Sequence, residues 1–101
     1  MGLVVLGDIL DVLRRHKSEL SEKYGVRAIG IFGSCVRGEQ TETSDVDVLV
    51  EFDPEARVSL LDFVQLEEHL TQLLGVQVDL VEGSALKPRI SQRVFAEVVY
   101  V

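Results

Sequence analysis

Three aspartates lie beside apolar, strand-like runs and could together bind a divalent cation. Asp45 and Asp47 flank Val46 at the start of such a run. Side chains alternate along a strand, so both carboxylates should point to the same side, about 6.6 Å apart along the chain. Asp79 repeats the pattern in a later run and can join the pair if the two strands are neighbours. Crowded carboxylates repel one another, so each favours a proton or a shared cation.

Hard oxygen ligands of this kind suit Mg²⁺ or Mn²⁺, which take the rest of their shell from water and substrate phosphates. Three carboxylates around one point predict a two-metal site that stabilises an in-line phosphoryl or nucleotidyl displacement. We therefore expect Asp45, Asp47 and Asp79 to be both catalytic and metal-binding. The alternative is a solvated sheet face. It is strongest for Asp45 and weakest for Asp47, because an unpaired carboxylate inside a buried strand is costly.

A glycine and a serine, Gly33 and Ser34, follow the apolar run that ends at Phe32. Glycine lets a ligand approach the backbone closely, and the serine hydroxyl and amide can both donate to a phosphate oxygen. Alone, such a junction is more often an ordinary turn, but eleven residues before the run that begins at Ser44 it predicts that Gly33 and Ser34 bind a phosphate. Arg37 could also contact a phosphate through its planar guanidinium. The other interpretation, slightly favoured, is that it braces the loop through an ion pair with a nearby acid.

Hydrophobic periodicity predicts the elements that position these residues. Helices are expected over 8–24, 60–74 and 88–96, and strands over 26–32, 46–52, 76–81 and 98–101. Asp8 and Ser59 are predicted helix caps, and Gly25 and Gly75 are predicted helix ends. The buried face of the second helix is expected to comprise Leu60, Leu61, Val64, Leu70, Leu73 and Leu74. This order predicts a small α/β fold with a sheet of three or four strands covered by helices.

The remaining side chains that could do chemistry have simpler interpretations. Cys35 is expected to be a small buried or half-buried residue, His16 to be partly packed and His69 to face solvent. The basic cluster of Lys87, Arg89 and Arg93 is expected to be a solvated face. Its functional alternative is a contact with nucleotide phosphate or with an acidic partner.

Composition and length limit the classes of partner and the cellular location that can be expected. The chain has 101 residues and a formal net charge of −7, so its long-range field repels phosphate and disfavours nucleic acids or anionic membranes as partners. The length fits one domain, residues 1–101. A single cysteine excludes an intrachain disulfide. No apolar run approaches the roughly 18 residues of a membrane span and no convincing signal peptide is present, so a cytoplasmic protein is expected.

The segment from Gly33-Ser34 through Arg37-Gly38 to SDVDVLV at 44–50 resembles the signature of the DNA polymerase beta-like nucleotidyltransferases. The short length and VDLV at 78–81 resemble their minimal nucleotidyltransferase family. The resemblance implies a small mixed β-sheet (α/β, or α+β) with helices packed on it. It also implies that Asp45 and Asp47 ligate two Mg²⁺ ions and that Asp79 assists deprotonation of the attacking hydroxyl. Gly33 and Ser34 would hold the triphosphate, with Arg37 and Ser44 also in the nucleotide site.

Members of this family pair with helical HEPN proteins as toxin–antitoxin systems. The resemblance therefore implies an antitoxin that transfers AMP from Mg-ATP to a hydroxyl, a tyrosine, of an RNase toxin. The alternative is a non-catalytic antitoxin that neutralises its helical partner by contact alone. Transfer to a nucleic acid or small molecule is disfavoured by the acidic charge. Self-association remains open because the last strand would be an edge strand.

Overall fold

Helices and strands alternate along the chain in this computed structural model, which describes residues 5–41 and 45–101. In chain order the elements are α1 (Leu6–Tyr24), β1 (Val26–Phe32), α2 (Ser34–Arg37), β2 (Val46–Phe52), α3 (Leu60–Leu74), β3 (Val78–Glu82), a 3₁₀ turn (Gly83–Ala85), α4 (Pro88–Glu97) and β4 (Val99–Tyr100). β1, β2 and α3 have their predicted bounds. β3 begins two residues later than expected, and β4 is shorter.

The four strands form one mixed sheet in the order β3-β2-β1-β4. β1 is antiparallel to β2 and to β4, whereas β2 and β3 are parallel. A parallel pair needs a long crossover connection, and the segment containing α3 supplies it. The mixed sheet confirms the fold class, and its register determines which side chains meet at the site.

The hydrophobic core lies between one face of the sheet and the helices α1 and α3. Residues of β2 alternate, so Val46, Val48 and Val50 point into this core and are fully or almost fully buried. The remaining buried members are Ile9, Leu13, Leu20, Val26, Ile29, Ile31, Cys35, Leu66, Leu70, Val78 and Leu80. By the same alternation, Asp47 lies on the opposite face of the sheet.

The helix ends follow the predicted chemistry at three positions and depart from it at one. Gly25 and Gly75 both end helices in the left-handed conformation, at φ values of 75° and 72°. Ser59 accepts a hydrogen bond from the Asp62 N–H in a reciprocal capping box, which typically stabilises a helix by about 1 kcal/mol. The prediction that Asp8 caps α1 is wrong. The helix begins at Leu6 after Val5, so Asp8 lies in the first turn, where its charge favours the helix dipole.

The buried face of α3 was predicted only in part. Leu70 is buried and Leu73 and Leu74 pack against the core, but Leu60, Leu61 and Val64 are exposed by 80%, 65% and 40%. The residues that face the sheet are Leu66 and Leu70, together with Phe63. At 3.6 residues per turn, Leu61 and Val64 lie on the side of the helix away from Leu66 and Leu70.

None of the helices within residues 5–41 and 45–101 is long and apolar enough to cross a membrane.

Candidate active site

Asp47 and Asp79 are direct neighbours across the parallel strands β2 and β3. Paired residues of adjacent strands have their side chains on the same face, and the strands lie about 4.8 Å apart. Asp47 is half-buried and Asp79 is exposed, so the pair lies at the margin between the protein and solvent. The structure therefore brings together two of the three predicted carboxylates.

The third predicted carboxylate, Asp45, flanks this pair. It immediately precedes β2, and the adjacent Val46 N–H donates to the Gln77 carbonyl oxygen at 2.9 Å, which anchors the chain there. Burial raises the pKa of Asp47, and the negative charges of Asp79 and Asp45 raise it further. The carboxylates are thus crowded enough to interact, as the sequence predicted.

A hard divalent cation fits these donors chemically. The pKa of Asp47 is raised because burial, and then the neighbouring negative charges, disfavour its ionised form; a bound cation would favour that form again. Within the described residues, no three histidine, cysteine or acidic side chains lie close enough together to form a metal-binding group. Mg²⁺ usually takes only one or two carboxylates and completes its shell with water and substrate phosphates. The adjacent pair of Asp47 and Asp79 suits that mode of binding.

Gly33 lies directly against Asp47. It follows Phe32, which pairs with Asp47 across the antiparallel strands β1 and β2. Its φ of 79° and ψ of −151° belong to a region that is essentially restricted to glycine. A Cβ atom at this position would overlap the Asp47 carboxylate. Glycine is therefore required both by the turn and by the close approach to the acidic site.

Ser34 begins α2 directly after this turn and is half-buried. Of the two predicted phosphate-binding residues, Gly33 therefore lies against Asp47 at the end of β1, and Ser34 follows it in the chain. The prediction for Ser44 falls outside the described residues.

Arg37 is held by two acidic side chains. Its Nε donates to Glu39 at 2.7 Å, and its Nη1 donates to both oxygens of Glu97 at 2.9 and 3.1 Å. These bonds raise the pKa of Arg37 further above its ordinary value, so the side chain is charged throughout the biological pH range. Of the two interpretations of Arg37, the bracing one describes its contacts in this structure.

Glu97 is the residue at this site that sequence reasoning missed. It is the last residue of α4, and its Oε2 also accepts a hydrogen bond from the Gly33 N–H at 2.8 Å. Burial tends to raise the pKa of Glu97, but the Gly33 N–H and the Arg37 guanidinium outweigh burial and hold it below its ordinary value. No local motif marks this residue, because 64 positions separate it from Gly33.

The other candidates have structural roles. Cys35 is buried, as predicted, and burial followed by the charge of Asp47 raises the pKa of its thiol. His16 is half-buried, as predicted, with its Nδ1 2.9 Å from the Val12 carbonyl oxygen. The prediction that His69 faces solvent is wrong. It is half-buried, and its Nδ1 lies 3.0 Å from the Tyr24 hydroxyl because α1 and α3 bring these residues together.

The predicted basic cluster is exposed. Lys87 immediately precedes α4, and Arg89 and Arg93 lie within it. Arg93 is close enough to Glu97 for its charge to contribute to the lowered pKa of that carboxyl. A role for the cluster in binding nucleotide phosphate or an acidic partner stays a prediction.

Together, these residues form an acidic site beside a glycine–serine turn on the sheet face opposite the core. Carboxylates side by side can bind cations that shield a polyphosphate. The hydroxyl of Ser34 offers a hydrogen-bond donor to a phosphate oxygen. The arrangement is thus suited to transfer of a phosphoryl or nucleotidyl group from a nucleotide.

Comparisons with known proteins agree with this chemistry. The family model described as "Nucleotidyltransferase domain" matches residues 13–101. The chain is 54% identical over 101 residues to the protein adenylyltransferase MntA of Thermococcus cleftensis, covering all of both sequences. A solved structure of a candidate minimal nucleotidyltransferase is 39% identical, with a TM-score of 0.71, covering 89% of this chain and 93% of that one.

A more distant structural match comes from Shewanella oneidensis. It is a structure of a tri-AMPylated HEPN toxin in complex with an MNT antitoxin, and it matches at 20% identity with a TM-score of 0.58. The match covers 93% of this chain and 66% of that chain. At this identity the likeness shows the fold alone. Because the family model spans the strands and helices that build the acidic site, and a close relative matches along its whole length, the chain belongs to the nucleotidyltransferase domain family, in its minimal branch.

Proposed function

We propose that this nucleotidyltransferase transfers AMP from Mg-ATP to a hydroxyl group of a partner protein, a tyrosine of a HEPN-type RNase toxin, and thereby acts as an antitoxin. The observation that carries the proposal is the in-register pairing of Asp47 with Asp79 beside the turn at Gly33. The name of the Thermococcus relative supports the donor chemistry and a protein acceptor. The HEPN complex supports the kind of partner. Residues 1–101 would act as a single domain in the cytoplasm.

In this proposal each residue has a distinct role. Asp45, Asp47 and Asp79 would hold two Mg²⁺ ions, or Mn²⁺, which would supply positive charge to the triphosphate. Ser34 donates a hydrogen bond to a phosphate oxygen, and the backbone at Gly33 allows the triphosphate to approach Asp47. Ser44 and Arg37 would complete the nucleotide site.

The reaction is an in-line displacement at the α-phosphorus. Asp79 accepts the proton of the attacking hydroxyl, which its exposed position allows. The hydroxyl oxygen forms a bond to the α-phosphorus, and the bond from that phosphorus to the bridging oxygen of the β-phosphate breaks. Pyrophosphate leaves, and AMP stays on the acceptor as a phosphodiester.

The acceptor is proposed to be a protein for an electrostatic reason. The chain carries a net charge of −7, which repels a polyanionic nucleic acid at long range. A folded protein can instead dock on exposed apolar side chains, and Leu60, Leu61 and Val64 form such a group on α3. The same exposed group favours the second candidate function, a non-catalytic antitoxin that neutralises its partner by contact.

Incubation with Mg-ATP and the product of the neighbouring gene, provided that it is a small helical protein, tests the proposal. Mass spectrometry should find AMP on the partner, and fragmentation should place it on a tyrosine. Asp47→Asn should reduce transfer by at least about 100-fold, as loss of a preorganised electrostatic group does elsewhere. Asp53→Asn is the matched control, because it makes the same charge change at an exposed position just beyond the other end of β2.

The possible results separate the two candidate functions. Transfer by the parent and by Asp53→Asn, with loss in Asp47→Asn and in chelator, supports the enzyme. A stable complex without any AMP would favour the contact mechanism. Transfer by Asp47→Asn at the parent rate would contradict the assignment of the carboxylates.

A further inference from the structure

We propose that Glu97 is a positioning residue that holds the glycine–serine segment, residues 33–39, in the geometry that receives the nucleotide. This inference rests on the proposed function, because it assumes that Gly33 and Ser34 contact the triphosphate. It extends the site to α4, which lies outside the motif that identifies the family in this chain.

One carboxylate binds the segment at two places. Glu97 Oε2 accepts from the Gly33 N–H at 2.8 Å, and both of its oxygens accept from Arg37 Nη1 at 2.9 and 3.1 Å. Arg37 in turn donates to Glu39, the last residue of the segment, at 2.7 Å. Hydrogen bonds of this kind, with ionised partners, are about twice as strong as neutral ones. Glu97 therefore fixes both the start of the segment and its arginine.

Glu97 is itself held in place by elements on both sides. It ends α4, and two residues later the chain enters β4. β4 pairs with β1 through Ile31 with Val99 and Gly30 with Tyr100. β1 ends just before Gly33, so the segment directly follows β1, and Glu97 lies two residues before the neighbouring strand β4. The carboxylate and the segment that it binds are therefore connected to adjacent strands of one sheet. A side chain anchored in this way can transmit the position of α4 to the segment.

The position of the segment affects the site because Gly33 is tightly packed. It packs so closely against Asp47 that a Cβ atom would overlap the carboxylate. A shift of the Gly33 backbone therefore changes both its approach to Asp47 and the place of the adjacent Ser34 hydroxyl. Because preorganised binding groups reduce the cost of binding, displacing the segment is expected to weaken the affinity for the nucleotide.

The negative charge of Glu97 acts against nucleotide binding, and Arg37 limits this effect. A carboxylate near a triphosphate site would repel the nucleotide, and its charge does raise the pKa of the nearby Asp47. The Arg37 guanidinium contacts the same carboxylate at 2.9 Å and acts on Asp47 in the opposite direction. We infer that the benefit of fixing the segment outweighs the residual repulsion.

The experiment compares Glu97→Ala and Glu97→Gln with the parent protein. Glu51→Gln is the matched control. The Glu51 side chain is 27% exposed against 26% for Glu97, and it also pairs with one arginine, Arg27. Its Oε2 accepts from the Tyr100 hydroxyl of β4 at 3.2 Å, and the amide oxygen of Glu51→Gln can keep that hydrogen bond. Titration calorimetry with Mg-ATP gives the nucleotide affinity. Amide hydrogen exchange at Gly33, followed by NMR, reports on the hydrogen bond without any catalysis.

We expect Glu97→Ala to weaken Mg-ATP binding and to raise the KM for ATP about 10-fold, with kcat nearly unchanged. A loss of this size is typical when a residue that orients a ligand-binding group is removed. Glu97→Gln should recover part of the affinity, because its amide oxygen can still accept from Gly33. Exchange at Gly33 should accelerate in Glu97→Ala, and Glu51→Gln should match the parent throughout. If Glu97→Ala fails to fold, the isosteric Glu97→Gln still gives an affinity intermediate between the parent and the expected loss.

Two results would overturn the inference. Unchanged affinity in both Glu97 variants would mean that the segment holds its geometry without the carboxylate. Tighter Mg-ATP binding would mean that Glu97 competes with the triphosphate for Gly33 and Arg37. A parent protein that binds no Mg-ATP would instead refute the proposed function itself, so the two failures are distinguishable.

Discussion

Replacing Gly33 by alanine is the sharpest test of the site geometry. At φ 79° and ψ −151°, an L-residue is strained even in empty space. Here the space is also occupied, because the new Cβ atom would overlap the Asp47 carboxylate and would lie 3.0 Å from its Cγ atom. The substitution must therefore shift either the turn or the carboxylate, and both belong to the acidic site.

The size of the effect can be estimated from the backbone. A non-glycine residue in this region costs about 1–3 kcal/mol. For a domain of this size, each kcal/mol lowers the Tm by about 4–8 °C. Gly33→Ala should therefore lower the Tm by between about 4 and 24 °C. Displacement of Asp47 by about 1 Å should also reduce transfer of AMP by about 100-fold.

Gly75→Ala is the control for strain alone. Gly75 has a φ of 72° and ends α3, four residues before Asp79. Among the described residues, no atom beyond its chain neighbours and its own helix backbone lies within 4 Å of the place its Cβ would take, so the added Cβ would contact no site residue. The left-handed conformation costs an L-residue about 1–2 kcal/mol. Both variants should therefore lose stability, whereas only Gly33→Ala should lose activity. Transfer is measured well below both melting temperatures, with circular dichroism confirming that each variant is folded.

Two results would refute the reasoning. A folded Gly33→Ala protein that transfers AMP at the parent rate would mean that the close approach to Asp47 is not required. An equal loss of activity in Gly75→Ala would attribute the effect to general strain instead.

The remaining predictions concern charge and burial. Asp47→Asn should raise the Tm in chelator, because the repulsion from neighbouring carboxylates falls; an unchanged or lower Tm would argue against crowding. Glu97→Gln should lower the stability at neutral pH, and its difference from the parent should vanish with acidification. The reason is that a carboxyl whose folded pKa is depressed stabilises the fold above its unfolded value near 4.5 and loses that contribution as the pH falls through the folded pKa. Urea titrations across this pH range would measure the difference in unfolding free energy between Glu97→Gln and the parent. A difference independent of pH would contradict the prediction. Leu61→Lys should change the unfolding free energy by no more than about 0.5 kcal/mol, whereas Leu66→Ala should cost about 2–5 kcal/mol; the reverse order would place the wrong face of α3 on the sheet.

Much of the secondary structure was predictable because local signals agree with one another. β1, β2 and α3 have the bounds that periodicity predicted, and Ser59 and Gly75 delimit α3 as expected. The errors arose where the position of a side chain depends on tertiary packing rather than on the local sequence. Leucines at the start of α3 are exposed, since burial depends on which face meets the sheet rather than on apolar character alone.

The sequence predicted which residues belong to the site, but it did not predict which of their side chains are in contact. Asp47 was recognisable because an acidic residue inside an apolar strand is costly unless it is paired. Gly33 alone was consistent with an ordinary turn and was singled out only because the acidic strand follows it. The bracing role of Arg37 was one of two open interpretations, and neither Glu39 nor Glu97 was identified as its partner.

The sequence by itself determined which residue types are available and on which side of each strand they lie. Alternation along β2 directs Val46 and Val48 into the core and Asp47 away from it, whatever the neighbouring strands are. The tertiary structure decided which of these residues meet. Parallel pairing of β2 with β3 brings Asp79 beside Asp47, and antiparallel pairing of β1 with β4 helps place Glu97 on the Gly33 turn. The physical reason is that strand order and register are set by burial summed over the whole core, whereas alternation is a property of the local backbone.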